Sequence, residues 1–390
     1  MTEPEGDVRD LFLLPEGVVW LNTAYMGPLP RVAVEAGWSA LDRKSRPWTV
    51  VDDDFFVPGE TYRGLVAGLL GADADGVAVT PSVSFGLSTF AALLPLDAGQ
   101  VVLVPGGEFP SNLLPWTAAA ARAGATVERV APGPDGDHTA ALLAAVDAHG
   151  ERVALVAAPP CHWTDGTVID LVAVGAAARR VGAALAVDVC QSLGAVPFDV
   201  SAVQPDVVAG ATYKWLLGPY GMGFAWFAPR WRHGPPLDHA WANQAGADDF
   251  TSLTALDAGY RPGARRYDVG EAAHHQLMAI ALASLRLVSG WGPARTAAHA
   301  ARLTTRIAEG AAALGLAVPE ARLRSPHLMG LGLAGTGLDA AGLAAHLADD
   351  RVHVSVRGPS LRVSAHRLNS DDDVDRLLAS LAAAVEGAHR

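Results

Sequence analysis

A lysine amine can lose its proton and act as a nucleophile or a base, and this chain keeps only two lysines, Lys44 and Lys214. Arginine is the default cation elsewhere, and its guanidinium stays protonated at any ordinary pH. A lysine retained within "GATYKWLLGPYGMGF" therefore suggests a need for a neutral amine at position 214. An ordinary surface lysine beside a glycine turn is the plainer alternative. Two other stretches carry groups that would work with such an amine. "AVDVCQSLG" places Asp188 where an apolar run stops, with Gln191 three residues on. "VTPSVSFGLS" gives an apolar run, then small hydroxyl residues and a glycine opening a helix. Backbone amides at such a helix start bind a phosphate well.

These groups together suit a cofactor with an aldehyde, a basic ring nitrogen and a phosphate. The neutral amine of Lys214 would form an imine with the aldehyde. The Asp188 carboxylate would keep the ring nitrogen protonated, so that the ring accepts electrons from a carbanion. The Val83 and Ser84 amides, the Ser84 hydroxyl and the Tyr213 phenol would hold the phosphate. The expected cofactor is pyridoxal 5′-phosphate. Each feature alone is common, and their order and placement at strand ends carry the inference.

The elements that must position these residues follow from the hydropathy pattern. Between about Gly76 and Phe227, seven β-rich runs, from "GVAVT" and "QVVLVP" to "DVVAGATY" and "GFAWFA", alternate with alanine-rich helical segments. The runs are mostly continuously apolar, as in strands buried on both faces. The pattern predicts an α/β fold with a mostly parallel seven-stranded sheet flanked by helices, where ligands gather at the strands' carboxyl ends. From "HHQLMAIALASLRLVSG" onward the character changes to long amphipathic helices, three short strands and a final helix, a smaller α+β unit. We expect an N-terminal segment over 1–20, a large cofactor domain over 21–270 and a small domain over 271–390. Ser370 would cap the last helix, with Asp371, Asp372 and Asp373 complementing its dipole rather than binding metal. Asp52–Asp54 reads as a solvated turn. His274 and His275 point in different directions on one helix, and no metal site is expected.

Bulk properties exclude several classes. A net charge of −12 leaves no basic stripe for nucleic acid. The acidic start "MTEPEGDVRD" lacks the pattern of a signal peptide, and no apolar stretch reaches a membrane span. Cys161 and Cys190 lie far apart without a CxxC spacing, so neither a disulfide framework nor a zinc site is indicated. The reading is of a cytoplasmic protein without nucleic-acid or membrane partners.

With these residues in view, the chain resembles a fold-type I pyridoxal-phosphate enzyme of the class V aminotransferase group, which includes cysteine desulfurases, isopenicillin N epimerase and kynureninase. The similarity runs from "VVWLNTAYMGPLP" to the final helix. "GEFPSN" resembles the segment whose ring stacks on the cofactor, which makes Phe109 the stacking residue. "DVCQS" matches the group's aspartate and glutamine, implying that Gln191 hydrogen-bonds the cofactor's ring oxygen. "CHWTDGTVIDL" stands where the ring is lined, implying His162 and Trp163 as neighbours, with His162 also a substrate contact. Tyr213 stands where desulfurases usually have histidine and kynureninase-like members have tyrosine. Arg362 in "LRVSAHRLNSDDDV" matches the arginine that grips the substrate carboxylate, with Arg357 as an alternative grip, and Tyr25 is a substrate contact by position. The resemblance also implies a homodimer with its site between subunits. Glu271 replaces the threonine that desulfurases direct at the partner's phosphate, so that role is not carried over.

The expected reaction is transamination of a small amino acid or amine, with β-elimination or carbon–sulfur lysis second and epimerisation third. Desulfuration is disfavoured because "VHVSVRGPSLRVS" lacks the mobile cysteine that the group carries there. A nucleotide-binding oxidoreductase would need GxGxxG directly after the first strand, whereas Gly218, Gly221 and Gly223 come late in the sheet.

Overall fold

A computed structural model describes residues 8–133, 135–256 and 259–388. The chain opens with a two-residue strand β1 (Val19–Trp20) and helices α1 (Arg31–Ser45) and α2 (Val57–Leu70). It then builds strands β2 (Val77–Thr80), β3 (Val101–Pro105), β4 (Thr126–Val130), β5 (Val153–Ala158), β6 (Ala184–Asp188), β7 (Val207–Ala211) and β8 (Gly223–Phe227). Interleaved are α3 (Val83–Leu93), α4 (Leu114–Ala123), α5 (His138–His149), α6 (Leu171–Arg180) and the single turn α7 (Val200–Val203). These seven strands form one sheet in the order β2-β8-β7-β6-β5-β3-β4. Strand β8 runs antiparallel to both neighbours, and every other pair is parallel. The α/β sheet read from the sequence is therefore the architecture found.

Burial explains the continuous apolar runs. Alternate residues serve opposite faces: Val77, Val79, Val101 and Leu103 enter one core, while Ala78, Val102 and Val104 enter the other. Strand β4 lies at the edge and exposes Thr126, Glu128 and Arg129, charges that discourage pairing with another chain. Side-chain caps start the helices where the sequence offers them. Asp170 accepts the Val172 and Ala173 N–H groups of α6 at 3.0 Å each.

The remaining chain forms α8 (His275–Trp291), α9 (Pro293–Ala313), β9 (Leu328–Gly332), α10 (Ala340–Asp349), β10 (Val352–His353), β11 (Ser355–Arg357), β12 (Ser360–Ser364) and α11 (Asp371–Ala388). Strands β11-β12-β9 make an antiparallel sheet over a third core that includes Ile307, Leu331, Leu347, Val363 and Leu377. Strand β1 pairs in parallel with β10, tying the beginning of the chain to this second unit. Helix α8 instead buries Met278, Leu285 and Val288 in the large unit's core. At α11, the Ser370 hydroxyl accepts the Asp373 N–H while the Asp373 carboxylate accepts the Ser370 N–H, and Asp371 pairs with Arg302 and Arg306. The Asp52–Phe55 stretch is a short 3-10 turn whose Asp54 pairs with Arg43. Among the described residues, no single helix is long and apolar enough to cross a membrane, and no cluster of His, Cys, Asp and Glu is placed to hold a metal ion.

Candidate active site

Strands β2, β3, β5, β6 and β7 point the same way, so their carboxyl ends deliver the following residues to one edge of the sheet. A cavity of about 230 Å³ lies there. It gathers Val83 and Ser84 after β2, Phe109 after β3, Trp163 after β5, Asp188 and Gln191 from the end of β6, and Tyr213 and Lys214 after β7. The apolar run "DVVAGATY" would carry β7 on to Tyr213, next to the lysine, but the strand ends at Ala211 and a tight loop carries Lys214. Leu217, at φ 54°, and the packing of Gly218 against Thr212 shape that loop. The Gly27 N–H donates to the Tyr213 carbonyl at 2.9 Å and clamps the loop from the amino-terminal side. A Cβ on Gly27 would stand 2.1 Å from the Lys214 carbonyl oxygen, so only glycine permits this approach.

Lys214 is buried, with Nζ 5.5 Å from the ring centres of both Phe109 and Tyr213. Asp188 is buried too, and one of its oxygens accepts the Cys190 N–H at 2.8 Å. Burial raises its carboxyl from the ordinary 3.8 to about 6, against the opposing pull of that N–H and of the Lys214 charge. Gln191 is oriented by two bonds: its amide oxygen accepts the Trp215 indole N–H at 3.0 Å, and its amide nitrogen donates to the Ala24 carbonyl at 3.1 Å. One amide N–H remains to donate elsewhere. Ser82 caps α3 by accepting the Phe85 N–H at 3.2 Å, which leaves the Val83 and Ser84 amides at the helix start beside the cavity. Trp163 donates its indole N–H to the Gly107 carbonyl at 2.8 Å and meets Phe109 edge-on at 5.3 Å.

Three expected substrate residues lie outside the cavity lining. Arg362 is 1% exposed and donates from Nη1 to the Trp163 carbonyl at 2.8 Å, while its Nε and Nη2 are buried without a hydrogen-bond partner. Tyr25 is exposed, in the neighbourhood of Arg357. His162, expected as a substrate contact, lies behind the cavity lining. Its ring is buried, stacks on His138 at 4.7 Å and bonds through Nδ1 to the Thr164 hydroxyl at 2.7 Å. The stacking partner comes from α5, which sequence spacing alone could not bring there.

Other cavity residues were not foreseen. Glu108, read only as the neighbour of Phe109, is buried with Oε1 accepting the Phe109 N–H at 2.5 Å and Oε2 left without a partner. Burial, followed by the nearby Asp188 charge, pushes its carboxyl up to about 8. Tyr220 lies 4.8 Å from the Tyr213 ring, and Ser82 completes the hydroxyl cluster through Ser84 at 3.0 Å. A helix-start serine three residues before Phe85 is an N-cap signal that the sequence did offer.

The donor set fits pyridoxal phosphate: an amine and a carboxylate face one cavity, a flat ring lies beside the amine, and free backbone donors line a helix start. Comparison with known proteins decides the family. The family model described as aminotransferase class-V matches residues 58–377. The chain belongs to the class V aminotransferase family. It is 28% identical over 392 residues to isopenicillin N epimerase of Streptomyces clavuligerus, covering 96% of this chain and 97% of that protein. A probable cysteine desulfurase of Methanothermobacter thermautotrophicus is 35% identical over 162 residues, 42% of this chain and 40% of the other. Among solved structures, the apo cysteine desulfurase of Thermococcus onnurineus NA1 matches with a TM-score of 0.84 at 20% identity, covering 97% of this chain and 98% of that one. The cystine C–S lyase C-DES matches with a TM-score of 0.84 at 22% identity, covering 94% and 97%. This class V chain is a pyridoxal 5′-phosphate-dependent enzyme.

Proposed function

We propose that this enzyme acts on a small amino acid or amine, with transamination as its reaction and Lys214 as both the attachment point of the cofactor and the base. The observation that carries this reading is the Lys214 amine, buried between two aromatic rings in a cavity that also presents Asp188. Bound pyridoxal phosphate supplies an aldehyde and a protonated ring that withdraws electrons from the substrate's α-carbon. Asp188 would hold the proton on the ring nitrogen, its buried carboxylate gaining from a positive partner what burial costs it. Phe109 would pack on the ring, with Trp163 bracing it. Gln191 would give its remaining N–H to the ring oxygen. The Val83 and Ser84 amides, the Ser84 hydroxyl and the Tyr213 phenol would take the phosphate. Lys214, released as a neutral amine, would take the proton at the α-carbon. Arg362, whose two buried donors lack partners, would bind the substrate carboxylate in the bidentate manner suited to a guanidinium.

β-Elimination or carbon–sulfur lysis uses the same residues up to loss of the proton, and it is the second reading, followed by epimerisation. Desulfuration through a protein cysteine is disfavoured by the state of both thiols. Cys161 is buried and pushed up to about 12, and Cys190 faces the cavity yet is raised by desolvation. We further propose a homodimer. An exposed apolar surface at Val32, Trp38 and Leu41 on α1, continuing to Trp48, supports that assembly. Incubation with an amino-acid panel, with keto acid, ammonia and sulfide assayed separately, tests the reaction. Keto acid formed with amine retained on the cofactor supports transamination. Ammonia or sulfide release without it would replace that reading with lysis.

A further inference from the structure

Buried guanidinium groups in this fold ordinarily come with a carboxylate. Arg63, 2% exposed, pairs with Asp268 and Glu60, and Arg232, 9% exposed, pairs with Asp73. Burying such a charge without a partner is costly, which makes exceptions informative. Arg362 is the exception, and the half-buried Arg357 shares its lack of a carboxylate partner among the described residues. The hairpin register pairs Ser355 with Arg362 and Arg357 with Ser360, so the two arginines sit diagonally, two residues apart in register, on the same face of β11-β12. Both lean on one residue. Arg362 donates to the Trp163 carbonyl, and the Arg357 guanidinium lies 5.5 Å from the Trp163 ring centre. Trp163 in turn lines the cavity.

Neither guanidinium has a carboxylate partner among the described residues. Arg357 donates from Nη1 to the Val356 carbonyl at 2.6 Å, and its Nε is buried without a partner. Burial, followed by repulsion from Arg357, lowers Arg362 to about 9. Two like charges held against Trp163, which lines the cavity, call for two anionic groups from outside.

We propose that Arg357 binds a second carboxylate, on the side chain of the substrate, so that the enzyme's substrate class is an amino acid carrying two carboxylates. This rests on the assignment of Arg362 to the α-carboxylate made above. A substrate with one carboxylate leaves Arg357 and its buried Nε unanswered, whereas a dicarboxylate neutralises both guanidiniums at once.

Carboxylic acids without an amino group isolate this grip from the chemistry. Succinate, glutarate and adipate, each against its own monoamide, are titrated calorimetrically into the holoenzyme at low ionic strength. The monoamide keeps size and removes one charge. At least one diacid should bind about tenfold or more tightly than its monoamide, as a charge-assisted hydrogen bond gives. In Arg357→Gln that ratio should fall to within about twofold of unity, and in Arg357→Lys it should be intermediate. A wild-type ratio near one for all three pairs, or a ratio unchanged by Arg357→Gln, overturns the proposal. Arg362→Gln should weaken diacids and monoamides alike. If it weakens neither, the ligands do not occupy this site and the assignment of Arg362 fails, a different outcome from the failure of Arg357 alone.

Discussion

Replacing Glu108 with glutamine gives a direct test of the electrostatics inside the cavity. In the folded chain its carboxyl is pushed from the ordinary 4.5 to about 8, first by burial and then by the Asp188 charge. Between those values the folded state holds a proton that the unfolded state has lost. Stability from this group is therefore fully present below about pH 4.5 and is lost as pH rises through about 8. At about 1.36 kcal/mol per pH interval of difference, the loss across that window is on the order of 5 kcal/mol. Glutamine keeps the shape and can still accept the Phe109 N–H, but it has no proton to lose. The assay is the thermal midpoint of apoprotein, wild type and Glu108→Gln, at pH 5.5, 7 and 9. The two should melt close together at pH 5.5. At pH 9 the variant should melt higher, by on the order of 5 °C or more. Parallel midpoints across the whole range would refute the idea that Glu108 is held as a neutral acid beside an ionised Asp188.

Other perturbations follow from single contacts. Trp215→Phe removes the donor that fixes the Gln191 amide and leaves a buried oxygen unpaired, so stability should drop by about 1–3 kcal/mol and cofactor affinity should fall, read by melting and equilibrium dialysis. Gly27→Ala drives a methyl into the Lys214 carbonyl and the Leu217 side chain. Overpacking of about 1–3 kcal/mol is expected, with reduced cofactor incorporation measured from visible absorbance per chain. Asp268→Ala strips the buried carboxylate from Arg63, leaving it only the half-exposed Glu60, and should cost about 3–5 kcal/mol in a denaturant titration, with little effect on the cavity.

The sheet was legible because burial on both faces writes itself as unbroken apolar runs, and Asp188 and Lys214 stood out because polar residues interrupt those runs at their ends. Phe109 and Trp163 became visible through resemblance, since nothing in their own spacing marks a cofactor ring. What escaped the sequence depends on contacts between distant segments. Glu108 differs from a surface glutamate because the fold buries it and carries Asp188 to its side. The stacking of His162 on His138 of α5 is another such contact, invisible in the spacing of either residue. Helix α8 follows the expected domain boundary in sequence yet packs on α1 and α2, because its apolar face matches the large core. The significance of Arg357 needed the hairpin register, which sets it diagonal to Arg362.

The account stands on Lys214 as the residue that carries the cofactor. Borohydride reduction of the purified holoenzyme, followed by mass-spectrometric mapping of its peptides, reads this directly. The account predicts loss of the visible band and a reduced pyridoxyl group on Lys214 alone. A label on Lys44 or any other residue, or no label on a protein that retains its visible band, would contradict it.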